Sequence, residues 1–431
     1  MSTGRDLGGG ERFVKTFLVW DNGLAVDQAI ALSRNMDGTR NRVLYYTPWM
    51  GAFPKWNDYA VGLGFDDEGL EKVLYFFEYI NEADVIVFFD NAAGDLCKFL
   101  RDTTGKPVFG AANGEQLENH RYQARQLQSS LGLPTQLTSK VKGVTDLEKH
   151  LKDNSDVYVK IDIFRGDVDS FPAKTLESVQ PLLDQLRIEY GPFQEYFDFI
   201  VEQKIKGDNI VEVGFDSFFS GDWIKPYLYG IEIDKSLYIG KFADQLPTPM
   251  QKTADAFADE MRKRDYRGGF STEEFVTAPD KSYLIDICAR FAFPVSAVFP
   301  LAIKNWAEFI ESVAIGKPVE IVQGGKYFGS LPLSTDFAQE HWVMLNIPPE
   351  MRDTVKVRSA AKSDGKYYSV PGRMTSVMVL TAVADTVDEL IEKLTSQIDK
   401  VSAFKIENDS ESQLNKAKEN IDNMNKMGFN F

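Results

Sequence analysis

The stretch FSTEEFVTAPDKSYLIDICAR, Phe270 to Arg290, holds two β-like runs around the turn signal Pro279-Asp280-Lys281-Ser282. A hairpin symmetric about Asp280 sets Glu274 opposite Asp286. Directly opposed side chains have Cβ atoms roughly 4.5–5.5 Å apart, and like charges there are destabilising. Asp286 stands between Ile285 and Ile287, in a run that reads as buried. Two close carboxylates in such a place need a cation or a shared proton, and a divalent metal with oxygen ligands supplies the first. Strand alternation sends Glu273 to the other face, so Glu274 is the expected partner, while Arg290 shares the face of Asp286 with Cys288 between them. From the hairpin alone two readings stand: a metal pair, or an ordinary hairpin in which one carboxylate is solvated or Arg290 neutralises Asp286. A register slip of one residue would exchange the faces.

Outward from the hairpin, the upstream chain alternates strand and helix. Phe13–Val19, Val43–Tyr46, Ala83–Asp90 and Lys106–Gly110 read as strands, and Leu24–Arg34, Glu68–Tyr79 and Leu96–Arg101 as helices. Such alternation predicts an open, mainly parallel α/β sheet over 12–112. Gly114–Leu131 reads as one long helix, stopped by Gly132-Leu133-Pro134. A larger α+β region follows, with strands at Val157–Ile163, Phe199–Lys204, Val211–Phe219 and Tyr227–Ile233, and helices at Leu176–Tyr190 and Thr253–Arg264. Beyond Gly316 short strands precede a helix at Val387–Val401 and a polar tail, readable as a surface helix or partly disordered segment.

Bulk composition narrows the function. A chain of 431 residues with 43% hydrophobic and 26% charged residues is globular and holds two or three packed units. The formal charge of −16 excludes a broad nucleic-acid surface. No apolar run reaches the roughly 18 residues that span a bilayer. MSTGRDLGGGERF reads as a flexible leader without a secretion signal. Cys97 and Cys288, far apart, argue against a disulfide framework and for a reducing cytoplasm. His120, His150 and His341 have no zinc-ligand spacing.

The order of these features resembles the ATP-grasp superfamily, and within it enzymes of the phosphoribosylamine–glycine ligase type, over roughly residues 13 to 310. The resemblance implies an α/β and α+β chain: a leader (1–12), a leading parallel α/β domain (13–112), a two-lobed ATP-binding domain (113–315), a small mixed C-terminal domain (316–405) and a polar tail (406–431). The family's metal hairpin has Glu on one strand and Glu-x-Asn-x-Arg on the next. Here Glu274 and Asp286-Ile287-Cys288-Ala289-Arg290 stand in those places. The resemblance therefore makes Glu274 and Asp286 the ligands of magnesium, or of manganese. Cys288 replaces an Asn, and a thiol is a poor magnesium ligand.

The remaining nucleotide contacts come from the same resemblance. Arg121, eleven residues before Gly132, holds the place of a phosphate-binding Lys. Lys160, in Val159-Lys160-Ile161, holds that of the second ATP lysine. The loop Phe164-Arg165-Gly166-Asp167 replaces a glycine-rich phosphate cover. Gln203 and Ile205 supply backbone groups for adenine, with Glu202 as the hinge acid. Glu212 matches the ribose-binding acid, and Lys235 and Lys241 flank a strand near the triphosphate. The implied chemistry is an ATP-dependent, magnesium-requiring ligation: a small-molecule carboxylate forms an acylphosphate with release of ADP, and an amine displaces phosphate. Lys160 and Arg290 serve it catalytically by neutralising charge. Asp21-Asn22-Gly23-Leu24-Ala25 replaces the glycine-rich loop of the purine-pathway ligases, which argues against that particular reaction. The loop Pro48–Trp56 is a candidate lining for the substrate. Alternatives are a nucleotide-binding protein without ligase activity and a carboxylate kinase.

Overall fold

The apolar runs of the sequence assemble into four sheets, seen in a computed structural model that describes residues 13–48, 60–163, 170–207, 210–317, 319–372, 374–407 and 410–431. The expected leader, the stretch Trp49–Trp56 and the loop Phe164–Asp167 lie outside the described residues.

The first sheet is parallel, with strands β1 (Phe13–Trp20), β2 (Arg40–Tyr46), β3 (Leu70–Lys72), β4 (Val85–Phe88) and β5 (Val108–Phe109) in the order β3-β2-β1-β4-β5. β4 is wholly buried, as its continuous apolar run predicts. Helices α1 (Val26–Ala31) and α2 (Gly94–Thr104) flank the sheet. The expected helix at Glu68–Tyr79 is instead β3 and a 3₁₀ turn at Phe76–Tyr79. Leu70, Val73 and Phe76 repeat every three residues and imitate a helical stripe, but pairing of Leu70 with Val43 on the sheet edge prevails.

The expected long helix over Gly114–Leu131 is broken at His120 (φ −117°, ψ 74°). A short turn, Gln116–Asn119, precedes α3 (Arg121–Ser130). Asp162 explains the break: its side chain accepts from Tyr122 N–H at 2.8 Å, capping α3 from outside the helix.

Next comes a four-stranded antiparallel sheet of β6 (Thr138–Lys142), β7 (Val157–Ile161), β8 (Ser170–Ala173) and β9 (Asp198–Gln203), in the order β6-β9-β7-β8. α4 (Val144–Asp153) and α5 (Leu176–Tyr190) cover it. This lobe has a core of its own, with Val144, Leu147, Leu183 and Phe199 fully buried.

The largest sheet begins with β10 (Val211–Ser220), β11 (Tyr227–Ile233), β12 (Leu237–Ala243), β13 (Arg267–Ala278) and β14 (Lys281–Cys288), backed by α6 (Thr248–Lys263) and α7 (Trp306–Ile315). Downstream follow β15 (Tyr327–Ser334), β16 (Val343–Asn346), β17 (Val355–Val357), β18 (Ala360–Ser363), β19 (Lys366–Ser369), β20 (Ser376–Ala384), α8 (Val387–Ile398), β21 (Ser402–Ala403) and α9 (Ser410–Lys426). β12 pairs with β15, so one eight-stranded sheet, β14-β13-β10-β11-β12-β15-β20-β17, runs through residue 315. A small sheet, β18-β19-β16-β21, lies apart. The tail is the helix α9, with Leu414, Ala417, Ile421 and Met424 buried, and Phe431 packs on Tyr229 and Tyr327.

The leading sheet docks on the C-terminal region through charge and close backbone contact. Arg352 pairs with Asp27 at 2.6 Å and Glu68 at 2.8 Å. Gly64 has φ +81°, and a Cβ there would lie 2.0 Å from the Lys362 carbonyl oxygen, so only glycine suits the contact. One core joins both regions to the eight-stranded sheet, from Phe17 to Phe431.

Candidate active site

The hairpin that opened the sequence reading is β13–β14, and its register differs from the expected one. Pro279 and Asp280 form a two-residue turn, and Glu273, not Glu274, pairs with Asp286. Glu274 pairs with Leu284, and the shift between these pairs leaves Ile285 as an extra residue on β14. This β-bulge changes which side chains face the cleft. Ser282, Leu284 and Ile287 are buried behind the strand, while Asp286, Cys288 and Arg290 line the cleft with Glu273 and Phe275. An unbroken ladder would have left Asp286 on the inner face with Leu284.

Glu274 is therefore corrected as the partner of Asp286. It is fully buried against α6 and accepts hydrogen bonds from Thr253 (3.2 Å), Thr272 (3.2 Å) and Ser282 (2.5 Å). Burial pushes its carboxyl up to about 7, against the pull of those hydroxyls. Glu273 is raised by burial and then by the charge of Asp286, with Lys235, Lys160 and Arg290 acting the other way. Like charges directly opposed in a half-buried cleft are the arrangement that calls for a cation. Among the described residues no group of three or more His, Cys, Asp or Glu has metal-holding geometry, so this site offers two carboxylates.

The bulge has a second effect, since the carbonyl of Ile285 is turned towards cations. Lys160 Nζ donates to it at 3.0 Å, and Arg125 Nη2 donates to it as well. Arg125 also pairs with Glu202, which is 2% exposed, and Lys160 stands 3.6 Å from the same carboxylate. Burial raises the Glu202 carboxyl, but the charges of Arg125 and Lys160 outweigh it and hold the group below its usual range. Sequence reasoning left Arg125 without a role, although it stands one helical turn after Arg121 on the same face of α3.

Between the four-stranded lobe and the eight-stranded sheet lies a cleft of about 880 Å³, counting the solvent at its mouth. Arg121, Lys160, Glu202, Gln203, Ile205, Asp286 and Arg290, all singled out in the sequence, line it. Arg121 donates to the Ile161 carbonyl at 2.8 Å. The Gln203 N–H donates to Leu137, so of that residue's backbone groups it is the carbonyl that suits a ligand donor. Glu274 stands behind the sheet. Glu212 flanks the cleft, paired in register with the lining residue Phe275, and burial and the Glu273 charge push its carboxyl up to about 7.

Lys235 also lines the cleft, carried by a turn with positive φ at Asp234 (48°) and Lys235 (56°), and the Glu273 charge raises its pKa. Lys241 points elsewhere and donates to the Asn430 carbonyl at 2.6 Å. Arg290 is steadied by Glu118, which accepts from its Nε at 3.1 Å and from Ala289 N–H at 2.8 Å. The His120 break lets the Gln116–Asn119 turn present Glu118 there. Cys288 is a free thiol whose pKa burial raises well above the ordinary value.

This pairing of a lobed clamp with a carboxylate-bearing hairpin, behind a leading parallel sheet, is the ATP-grasp fold. Solved structures of that fold match the chain at low identity. A phosphoribosylamine–glycine ligase from Thermotoga maritima gives a TM-score of 0.65 at 15% identity, covering 91% of this chain and 98% of that one. The biotin carboxylase domain of the 2-oxoglutarate carboxylase of Hydrogenobacter thermophilus, solved with MgADP, ADP and bicarbonate, gives 0.63 at 13%, covering 91% of each. An L-amino acid ligase from Bacillus licheniformis gives 0.58 at 13%, covering 90% of this chain and 98% of that one. No protein-family model and no curated protein matches the chain.

Proposed function

We propose that the protein is a magnesium-requiring, ADP-forming ligase that activates a small-molecule carboxylate with ATP and passes the acyl group to an amine. The observation that carries this reading is that residues far apart in the sequence, assigned by the family resemblance to different parts of the nucleotide site, line one cleft. In it adenine lies at the Gln203 carbonyl and the Ile205 N–H, and Glu212 receives the ribose hydroxyls. Arg121 and Lys160 neutralise the phosphates, Arg121 through a fork of donors and Lys160 as a point charge. Lys160 Nζ, which donates one hydrogen bond to the Ile285 carbonyl, has further donors for phosphate oxygen.

Glu273 and Asp286 are the residues that would hold magnesium, since two opposed carboxylates are a hard oxygen-donor set suited to it, and manganese is a permitted substitute. When bound, the ion supplies neutralisation of charge on the phosphates. Arg290, fixed by Glu118, orients the carboxylate undergoing phosphorylation and steadies the acylphosphate. A chain that only positions and neutralises needs no side-chain nucleophile. The two free cysteines support a reducing cytoplasmic setting, and no helix among the described residues is long and apolar enough to cross a membrane.

The thiol at 288 also favours a second reading, nucleotide binding without ligation. ADP release measured over a panel of carboxylates and amines, with and without magnesium, separates the two. Hydroxylamine converts an acylphosphate to a hydroxamate, so hydroxamate formed only with ATP, magnesium and a carboxylate is expected. ATP binding with neither ADP nor hydroxamate from any carboxylate would refute ligation.

A further inference from the structure

The cleft has one more polar side chain at its hinge end, and the family resemblance gives it no role. Gln136 lines the cleft with Tyr158, Gln203 and Ile205. It stands between Pro134, which follows α3, and Thr138, where β6 begins. Its amide oxygen is buried and accepts from nothing among the described residues. Buried polar atoms are rarely left this way without a ligand or water to meet them.

The backbone fixes where this side chain starts. Thr138 pairs with Glu202, and the Leu137 carbonyl accepts from Gln203 N–H at 3.1 Å. Continued by one more pair, the antiparallel register sets Gln136 opposite Lys204, between the two residues proposed to hold adenine. The Thr138 hydroxyl donates to the Gln136 carbonyl at 3.1 Å. Main-chain bonds thus tie the segment to the hinge, while the amide oxygen stays uncommitted. The nearby acid is not free in the same way. Glu202 is 2% exposed and is held by Arg125 and Lys160.

The chemistry of the base supplies what Gln136 lacks. A 6-amino group on a purine carries two hydrogens, and the Gln203 carbonyl accepts one. The second loses water when the base enters the cleft, and a donor left unmet there costs about as much as a lost hydrogen bond. A glutamine amide is a well-matched partner for the adenine amino group. An apolar side chain would offer no acceptor, and Lys or Arg would oppose one donor with another.

We propose that Gln136 reads the base of the nucleotide, its amide oxygen accepting the 6-amino hydrogen that the Gln203 carbonyl leaves free. The inference rests on the nucleotide part of the ligase reading and adds a specificity-determining side chain to it. Recognition of the amino group is then divided in two. One acceptor belongs to the main chain, which substitution does not remove, and the other to a side chain, which a single substitution does.

The test uses the full chain with magnesium and reads binding by calorimetry, apart from turnover. The probes are ADP and purine riboside 5′-diphosphate, which differ only in the 6-amino group. Gln136→Leu is expected to weaken ADP about 10-fold and the purine riboside nucleotide less than about 2-fold, since one neutral hydrogen bond is worth roughly a factor of ten. The two changes form a cycle, and its coupling is expected to be about 5-fold or more. Gln136→Glu keeps an acceptor at the same place, so it is expected to hold the parent's preference for ADP over the purine riboside nucleotide within about threefold. Equal weakening of both nucleotides in Gln136→Leu would overturn the inference and make the side chain a structural one. Unchanged ADP binding in Gln136→Leu would overturn it too, and leave the amide to water. A Gln136→Glu variant that loses the preference as Gln136→Leu does would show that no acceptor is needed there. A parent protein that binds neither nucleotide would instead defeat the nucleotide site, and with it the ligase reading.

Discussion

Exchanging the adjacent acids Glu273 and Glu274 separates function from stability, because strand alternation puts them on opposite sides of β13, Glu273 opposite Asp286 and Glu274 against Leu284. Glu273→Gln removes one of the two carboxylates proposed to hold magnesium. At 1.36 kcal/mol per tenfold, a loss of about 3 kcal/mol lowers kcat/KM for Mg·ATP by roughly 100-fold or more. Folding of the metal-free protein is expected to be unharmed, and to gain about 0.2–1 kcal/mol, since the substitution relieves a like-charge pair with Asp286.

Glu274→Gln is expected to leave turnover within about threefold of the parent and stability within about 1 kcal/mol, because the buried carboxyl is already raised to about 7 and an amide keeps an acceptor there. Glu274→Ala strands three hydroxyl donors and opens a cavity, for about 2–5 kcal/mol. Coupled ADP release gives the first quantity and urea denaturation the second. Loss of turnover in Glu274→Gln at unchanged stability, with Glu273→Gln fully active, would refute the register argument.

Two further outcomes follow from buried charge. Arg125→Ala leaves Glu202 with Lys160 alone at 3.6 Å, and breaking a buried pair in this way is expected to cost about 3–5 kcal/mol by urea titration; a loss below about 1 kcal/mol would show the pair to be solvated. Stability should also fall as pH rises. Burial raises Glu115, Glu212 and Glu274 to about 7 from an ordinary 4.5, so the native state binds more protons than the unfolded chain between those values. The stabilisation is complete below about 4.5 and is lost as pH passes 7. Urea midpoints are therefore expected to be higher at pH 5.5 than at pH 8, with a shallower slope in Glu274→Gln; a flat or rising profile over that window would contradict the burial of these acids.

What the sequence disclosed depended on the range of the signal. The continuous run over Ala83–Asp90 and the alternating run over Val157–Ile163 marked strands, because burial on two faces or one leaves a local pattern. The residues carried by the family resemblance reached the cleft because each is fixed within a few positions of a turn or strand end. The register was not legible, since a turn of two residues and single extra residues in the ladder leave both strands with ordinary composition, and together they exchanged Glu274 for Glu273. The break at His120 depends on Asp162, some forty residues away, and no local window contains it. Glu118 and Arg125 were missed for the same reason.

The four-stranded lobe keeps a core to itself, whereas the leading sheet, the eight-stranded sheet and the final helix share another. In mechanical terms the molecule is a single base with one moving jaw. A long stretch of chain, from β10 to Phe431, is locked to the base, so any swing wide enough to admit a nucleotide falls to β6–β9 and their two helices. Polar contacts hold that jaw at its centre: Lys160 on the Ile285 carbonyl, Glu202 on Arg125, Arg121 on the Ile161 carbonyl and Asp162 on Tyr122 N–H. These are polar contacts, which water and phosphate can replace one for one, and not packed apolar surface, which they cannot. One arm of the latch, Lys160, is also the group proposed to meet phosphate, so loosening the jaw and binding the nucleotide would draw on the same ammonium.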